Sequence, residues 1–293
     1  MTQIFTIGKV IQIRSSPLKI NRLAFIETEE HIRQVIQMLD WLYPNARENL
    51  RQAACLHDIG KKIYLQSDFT QGDKRLTQQK LRDDFYQSAS GGETFTAEEA
   101  IQRYLTFLKQ GHAKPFPVYK NSEDENSPIA EVRYQLDPPF GQHAAMIERT
   151  DLRGVADGQL DYVHTLIQLH HNFQVDKLVA AAAEHGEDII NDLYCLITAD
   201  QEASRWAEFI VQTLEKGAEK PEGRFRFSEF SIEPVSSPEE NRRKDAHVQG
   251  QVTLKASHCP APSEWAFVVD YYVTECDFLT PELRERKGGG KKR

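Results

Sequence analysis

The chain has 293 residues, 40% of them hydrophobic and 27% charged, which is enough apolar mass to fill one large core or two small ones. No stretch approaches the roughly 20 consecutive apolar residues that a membrane helix needs. The 36 basic and 44 acidic residues give a net charge of −8. That excludes a protein that coats long duplexes by charge alone, because phosphate contacts need clustered Lys and Arg. The four cysteines, Cys55, Cys195, Cys259 and Cys276, form no CxxC, against a zinc ribbon or a disulfide framework. The N-terminal MTQIFTIGKV has neither a basic n-region nor an apolar h-region. Together these features predict a reducing, cytoplasmic setting.

The first twenty residues read as extended, with Ile4, Phe5, Ile7, Val10, Ile11 and Ile13 partly alternating. A helix follows. Thr28 is its candidate cap, Glu29 and Glu30 suit the dipole, and His31, Val35, Leu39 and Leu42 share a face. Pro44 breaks the run. Asn45 and Glu48 then match a capping box for a second helix, with Leu50, Ala53, Ala54 and His57 on its stripe and Gly60 at its end. Residues 64–140 are more polar and richer in proline, and read as an insertion. One helix inside it is well marked by the Thr96 and Glu99 capping box and by Ile101, Tyr104, Leu105 and Leu108. Helices are expected again at about 141–150, 158–172, 175–185 and 187–215. After Lys216, GRFRFSEFSI, HVQGQVTL and EWAFVVDYYVTECDF read as three strands, which the N-terminal strands are candidates to join. The terminal KGGGKKR has the composition of a disordered tail.

Six histidines, at 31, 57, 143, 164, 170 and 171, fall mostly inside apolar-periodic segments. Buried imidazoles beside carboxylates point to a metal site. The sharpest local signal is Leu56-His57-Asp58-Ile59-Gly60-Lys61. A His and an Asp adjacent at a helix end can both reach one cation, and a break at Gly60 lets Lys61 turn back toward the same pocket.

The string LHDIGK resembles the signature of the HD metal-dependent phosphohydrolase superfamily. The matching continues along the chain. His31 in TEEHIRQVIQML resembles the family's first helix, and His170 and His171 in LIQLHHN stand adjacent as in its two-metal members. Asp200 in LYCLITADQEAS resembles its closing helix, and FGQHAAMIE sets His143 in a context like the short Phe-x-His helix of the CRISPR type I HD nucleases. The set spans about residues 25–210 and resembles that nuclease family best. The insertion before His143 and the β-like C-terminus depart from its simplest pattern. His112 in QGHAKPFP is a rival to His143 as ligand.

The resemblance implies one ion held by His31, His57, Asp58 and Asp200, and a second held by Asp58, His143, His170 and His171. Imidazole with carboxylate suits divalent transition metals such as Mn, Ni, Co or Fe, with Mg and Zn as further candidates. Two ions roughly 3.5–4 Å apart can activate water and clamp a phosphate between them. Asp58 would then be the catalytic bridge, and Lys61 would stabilise charge developing on the phosphate oxygens. The other candidates have plainer readings. His164 reads as structural, His185 as a helix C-terminal residue, and His247 and His258 carry no signal. Arg242-Arg243-Lys244 reads as a solvated loop, and the C-terminal aromatics read as β-core rather than a base-stacking platform.

The expected architecture is mainly α. An HD-domain helical bundle over residues 1–215 carries an insertion at about 64–140, followed by a small antiparallel β-rich element over 216–286 and the disordered basic tail 287–293. The function that the resemblance implies is a metal-dependent nuclease acting on single-stranded DNA in CRISPR interference. It would work beside an RNA-guided surveillance complex and a separate helicase, since no GxxxxGK[ST] P-loop occurs in the sequence. The alternatives are an HD phosphohydrolase on nucleotides or cyclic nucleotides, and a non-catalytic HD-fold docking subunit. No membrane partner is expected.

Overall fold

Two strands open the fold as a hairpin, β1 (Ile7–Ser16) and β2 (Lys19–Glu27), paired antiparallel. The computed structural model describes residues 5–16, 19–61, 96–109, 113–121, 127–136, 143–144, 147–171, 174–216, 227–234, 246–256 and 264–276. The elements that follow are α1 (Thr28–Leu42), α2 (Glu48–Leu56), α3 (Ala97–Phe107), β3 (Ala113–Tyr119), β4 (Ile129–Leu136), a 3-10 turn (Arg149–Asp151), α4 (Asp157–Leu169), α5 (Val175–His185), α6 (Asp188–Lys216), β5 (Phe227–Pro234), β6 (Ala246–Ala256) and β7 (Glu264–Glu275). The described residues are mainly helical, with an antiparallel sheet beside the helices.

That sheet has the order β1-β2-β7-β6-β5, so it draws strands from both ends of the chain. β2 meets β7 with Arg22 opposite Glu275 and Phe25 opposite Tyr272. Side-chain alternation then sends neighbours to opposite faces. Ala24 and Ile26 join Ile11, Ile13, Phe267, Val269, Tyr271 and Val273 in a core shared with Val35, Met38 and Leu39 of α1 and Leu196, Ala203 and Ile210 of α6. Leu23 and Phe25 face the other way, onto Ile101, Tyr104, Leu105 and Leu108 of the α3 segment. Phe25 and Tyr104 stack edge to face at 5.4 Å between ring centroids. A helix from the segment expected as an insertion thus covers the second face of the sheet. The β3–β4 hairpin lies in the same segment and is tied to β1 by an Arg14–Glu131 ion pair of 2.9 Å.

The remaining helices pack around α6. α1 lies along it, α2 bridges α1 and α4, and α5 leans on the start of α6. Gly250 on β6 marks where α6 crosses the sheet, since a Cβ there would lie 2.3 Å from Leu214 Cδ1.

Several sequence expectations need correction. Thr28 is the first helical residue of α1 rather than its cap, and its hydroxyl donates to the Thr6 carbonyl at 3.1 Å. α2 begins at Glu48 after Arg47, without the Asn45 cap, and Arg47 instead reaches across to Asp188 and Asp192 at 2.7 and 2.9 Å. α2 ends at Leu56, and residues 59–61 are helical again through Gly60. In the stretch 141–150, where a helix was expected, the described residues show only 3-10 and irregular backbone around His143 and Arg149–Asp151. Residues 62–95, His112, the Arg242 to Lys244 stretch read as a solvated loop, and the tail lie outside the described residues. No helix among the described residues is long and apolar enough to cross a membrane.

Candidate metal centre

Every candidate ligand but His143 sits where an amphipathic helix turns its inner face, or its end, toward one point. His31 lies on the buried face of α1 with Val35 and Leu39. His57 closes α2, and Asp58 follows it in the turn. His170 closes α4, with His171 directly after it. Asp200 is central in α6, on the inward side with Leu196 and Ala203. His143 comes from the irregular segment before the 3-10 turn. His31, His57, Asp58, His143 and His170 are all buried, while Asp200 and Lys61 are partly exposed and His171 sits at the exposed rim.

The distances are short. His31 Nε2 lies 3.0 Å from Asp200 Oδ1 and 3.5 Å from Asp58 Oδ2. His57 Nε2 lies 3.6 Å from Asp58 Oδ2 and 4.0 Å from Asp200 Oδ1. His143 Nε2 lies 2.9 Å from Asp58 Oδ1. The His143 and His171 rings are 4.9 Å apart, and those of His170 and His171 are 4.0 Å apart. Two overlapping sets result, His31, His57 and Asp58 on one side, and Asp58, His143, His170 and His171 on the other, each with ligand atoms close enough for a single ion. Asp58 belongs to both. His112, the rival to His143, is outside the described residues.

Neighbouring groups fix how the rings point. His57 Nδ1 donates to the Ala54 carbonyl at 2.8 Å, and His170 Nδ1 donates to the Ile167 carbonyl at 2.6 Å. A ring that donates from Nδ1 to a carbonyl keeps Nε2 as a lone-pair donor, the arrangement typical of metal-ligating histidines. The Nε2 atoms of both rings are buried and have no hydrogen-bond partner. Buried polar atoms are nearly always satisfied, so two orphaned nitrogens on one carboxylate are a fit for a bound cation.

The charge states agree. Burial pushes His31 and His170 down, His170 well below its usual range, and takes His171 down to about 4. Burial alone would raise the Asp58 carboxyl, but Lys61, His57 and His143 outweigh it and hold Asp58 well below the usual carboxylate range. Burial also opposes ionisation of Asp200, and the hydrogen bond from His31 overcomes it. The lowered His31, His170 and His171 beside ionised Asp58 and Asp200 match the deprotonated ligands that divalent cations require.

Lys61 completes the group. Its Nζ donates to Asp58 Oδ2 at 2.6 Å and to the Gly8 carbonyl at 2.8 Å. Gly8 was not singled out in the sequence. It sits at an irregularity in the β1 register, where a Cβ would lie 2.6 Å from Thr28 Cα. A glycine inside a strand rich in Ile and Val is the available signal for such a close approach. Lys9 was also missed. Its Nζ donates to the Ser204 carbonyl at 2.8 Å, one helical turn past Asp200, and burial takes its ammonium down to about 8.

No family model, no curated protein and no solved structure matches the chain. The case for this centre therefore stands on its geometry. His164, read as structural, donates from Nε2 to the Ile147 carbonyl at 2.9 Å and so ties α4 to the segment that carries His143.

Proposed function

We propose that this protein is a metal-dependent phosphodiesterase of the HD type, holding two divalent ions, and that its substrate is single-stranded DNA in CRISPR interference. The observation that carries the reading is the sharing of Asp58 between two sets of buried histidines, with Lys61 on the same carboxylate. His31, His57, Asp58 and Asp200 would hold one ion, and Asp58, His143, His170 and His171 the other. Ions bound there would supply an activated water and positive charge for a phosphate. Within the chain, Asp58 would bridge, the carbonyls of Ala54 and Ile167 hold the His57 and His170 rings in orientation, and Lys61 would lend its ammonium to phosphate oxygens as charge builds on them. The exposed edge at His171 is where a strand would approach.

The substrate assignment rests on the resemblance of LHDIGK and its companion segments to the CRISPR type I HD nucleases, and on charge. At −8 the composition does not advertise the broad basic surface that a duplex binder needs. An unpaired strand bends into a small cleft, whereas a duplex has to be deformed first. The reading assigns unwinding to a separate helicase and strand delivery to an RNA-guided complex.

The test incubates the full chain with circular single-stranded DNA, matched duplex, cyclic nucleotides and nucleoside phosphates, with Mn, Ni, Co or Mg. The expected result is metal-dependent cutting of the single-stranded circle, poor cutting of duplex, and no cutting by a folded Asp58→Ala variant. Turnover of a small nucleotide without strand cleavage would replace the substrate, and metal binding without any hydrolysis would leave a docking subunit.

A further inference from the structure

Gly60 is buried in the short helical stretch 59–61 that follows the turn at His57 and Asp58, and its backbone lies against the segment that carries His143. A Cβ on Gly60 would stand 2.2 Å from the His143 carbonyl oxygen, 2.9 Å from its carbonyl carbon and 3.0 Å from Ile147 Cδ1. Gly60 is not among the glycines with positive φ, which are Gly154 and Gly186. Its lack of a side chain therefore serves close approach and not an unusual backbone conformation. The facing segment is anchored at Ile147. Ile147 is buried in the main core, and its carbonyl is held by His164.

We propose that Gly60 is a positioning residue that sets His143 against Asp58, and so governs the second metal position separately from the first; the inference rests on the two-ion reading. The magnitudes support the division. A methyl group at Gly60 needs about 1 Å of extra room before the contact with the carbonyl oxygen becomes ordinary. Metal–ligand distances tolerate only about 0.2 Å. His143 therefore cannot keep its place at 2.9 Å from Asp58 Oδ1 and accommodate that methyl. His31, His57 and Asp200 come from α1, the end of α2 and α6, and none of them rides on the displaced segment.

The experiment titrates the metal-free full chain with Mn²⁺, following each binding step by calorimetry and the formation of a coupled ion pair by electron paramagnetic resonance. The wild type, Gly60→Ala, His143→Ala and the double variant are compared. The wild type should bind two ions. Gly60→Ala should stay cooperatively folded, keep the first constant within about threefold, lose about 10–100-fold at the second and lose the pair signal at matched loading. The double variant should match His143→Ala, because Gly60 acts through that residue. Equal weakening of both steps, an unchanged second step, or a Gly60→Ala chain that does not fold would each overturn the assignment. A wild type that binds a single ion would refute the two-ion reading itself, and the assignment with it.

Discussion

Asp58 is held by contacts of three kinds, the Lys61 ammonium at 2.6 Å, the His143 ring at 2.9 Å and the more distant His31 and His57 rings. Three rings of the cluster and its two carboxylates set how the metal-free protein answers to pH. His31, His170 and His171 have lowered folded-state values, His171 about 4, against an unfolded value of about 6.5. In that window the unfolded chain binds more protons, so stability falls as pH drops from about 6.5 toward 4. Asp58 and Asp200 are also lowered. Their contribution is fully present above their unfolded value of about 3.9 and is lost as pH falls further. Both groups act in the same direction. The metal-free chain should therefore show a melting temperature that declines steadily below about pH 6.5, measured by scanning calorimetry between pH 7.5 and 4. A melting temperature that holds constant to pH 4.5 would contradict these burial effects.

The elements show which physical signals sequence carries well. α3, α4, α5 and α6 were expected at nearly their observed positions, because a stripe with a 3.6-residue period is written locally. The strands near both ends were legible for the same reason, with period two. The N-terminal strands, candidates to join the C-terminal ones, do so through β2 and β7, although periodicity does not give the register of such distant partners. The β3–β4 hairpin was missed because Pro115 and Pro117 lie in β3, and proline argues against a strand unless it lies at an edge. The candidate ligands can be named from spacing and resemblance, but the devices that aim them cannot. Gly8, Gly60 and the Ala54 and Ile167 carbonyls act through backbone approach, which leaves little mark on composition. α3 offers a test at this scale. Its Leu105 is buried against the sheet face that holds Leu23 and Phe25. Leu105→Ala should cost about 2–5 kcal/mol in urea unfolding. A loss below 1 kcal/mol would show that α3 is an appendage rather than part of the core.

Across the whole molecule, a sheet made from both chain ends backs the α1–α6 pair, and the helix ends of α2 and α4 converge with the middle of α6 on one buried point. Rigid elements stand behind nearly every candidate ligand, with His143 the exception, carried by a segment pinned between Gly60 and His164. Such support is what a metal centre needs, because ligand geometry must survive without the ion to be ready for it. The central claim is that this point holds two cations. Crystals of the full chain loaded with Mn²⁺, measured for anomalous scattering near the manganese edge, test it most directly. The account predicts two peaks about 3.5–4 Å apart, one among His31, His57, Asp58 and Asp200, the other among Asp58, His143, His170 and His171. A single anomalous peak at this cluster at saturating Mn²⁺, or none there, would contradict it.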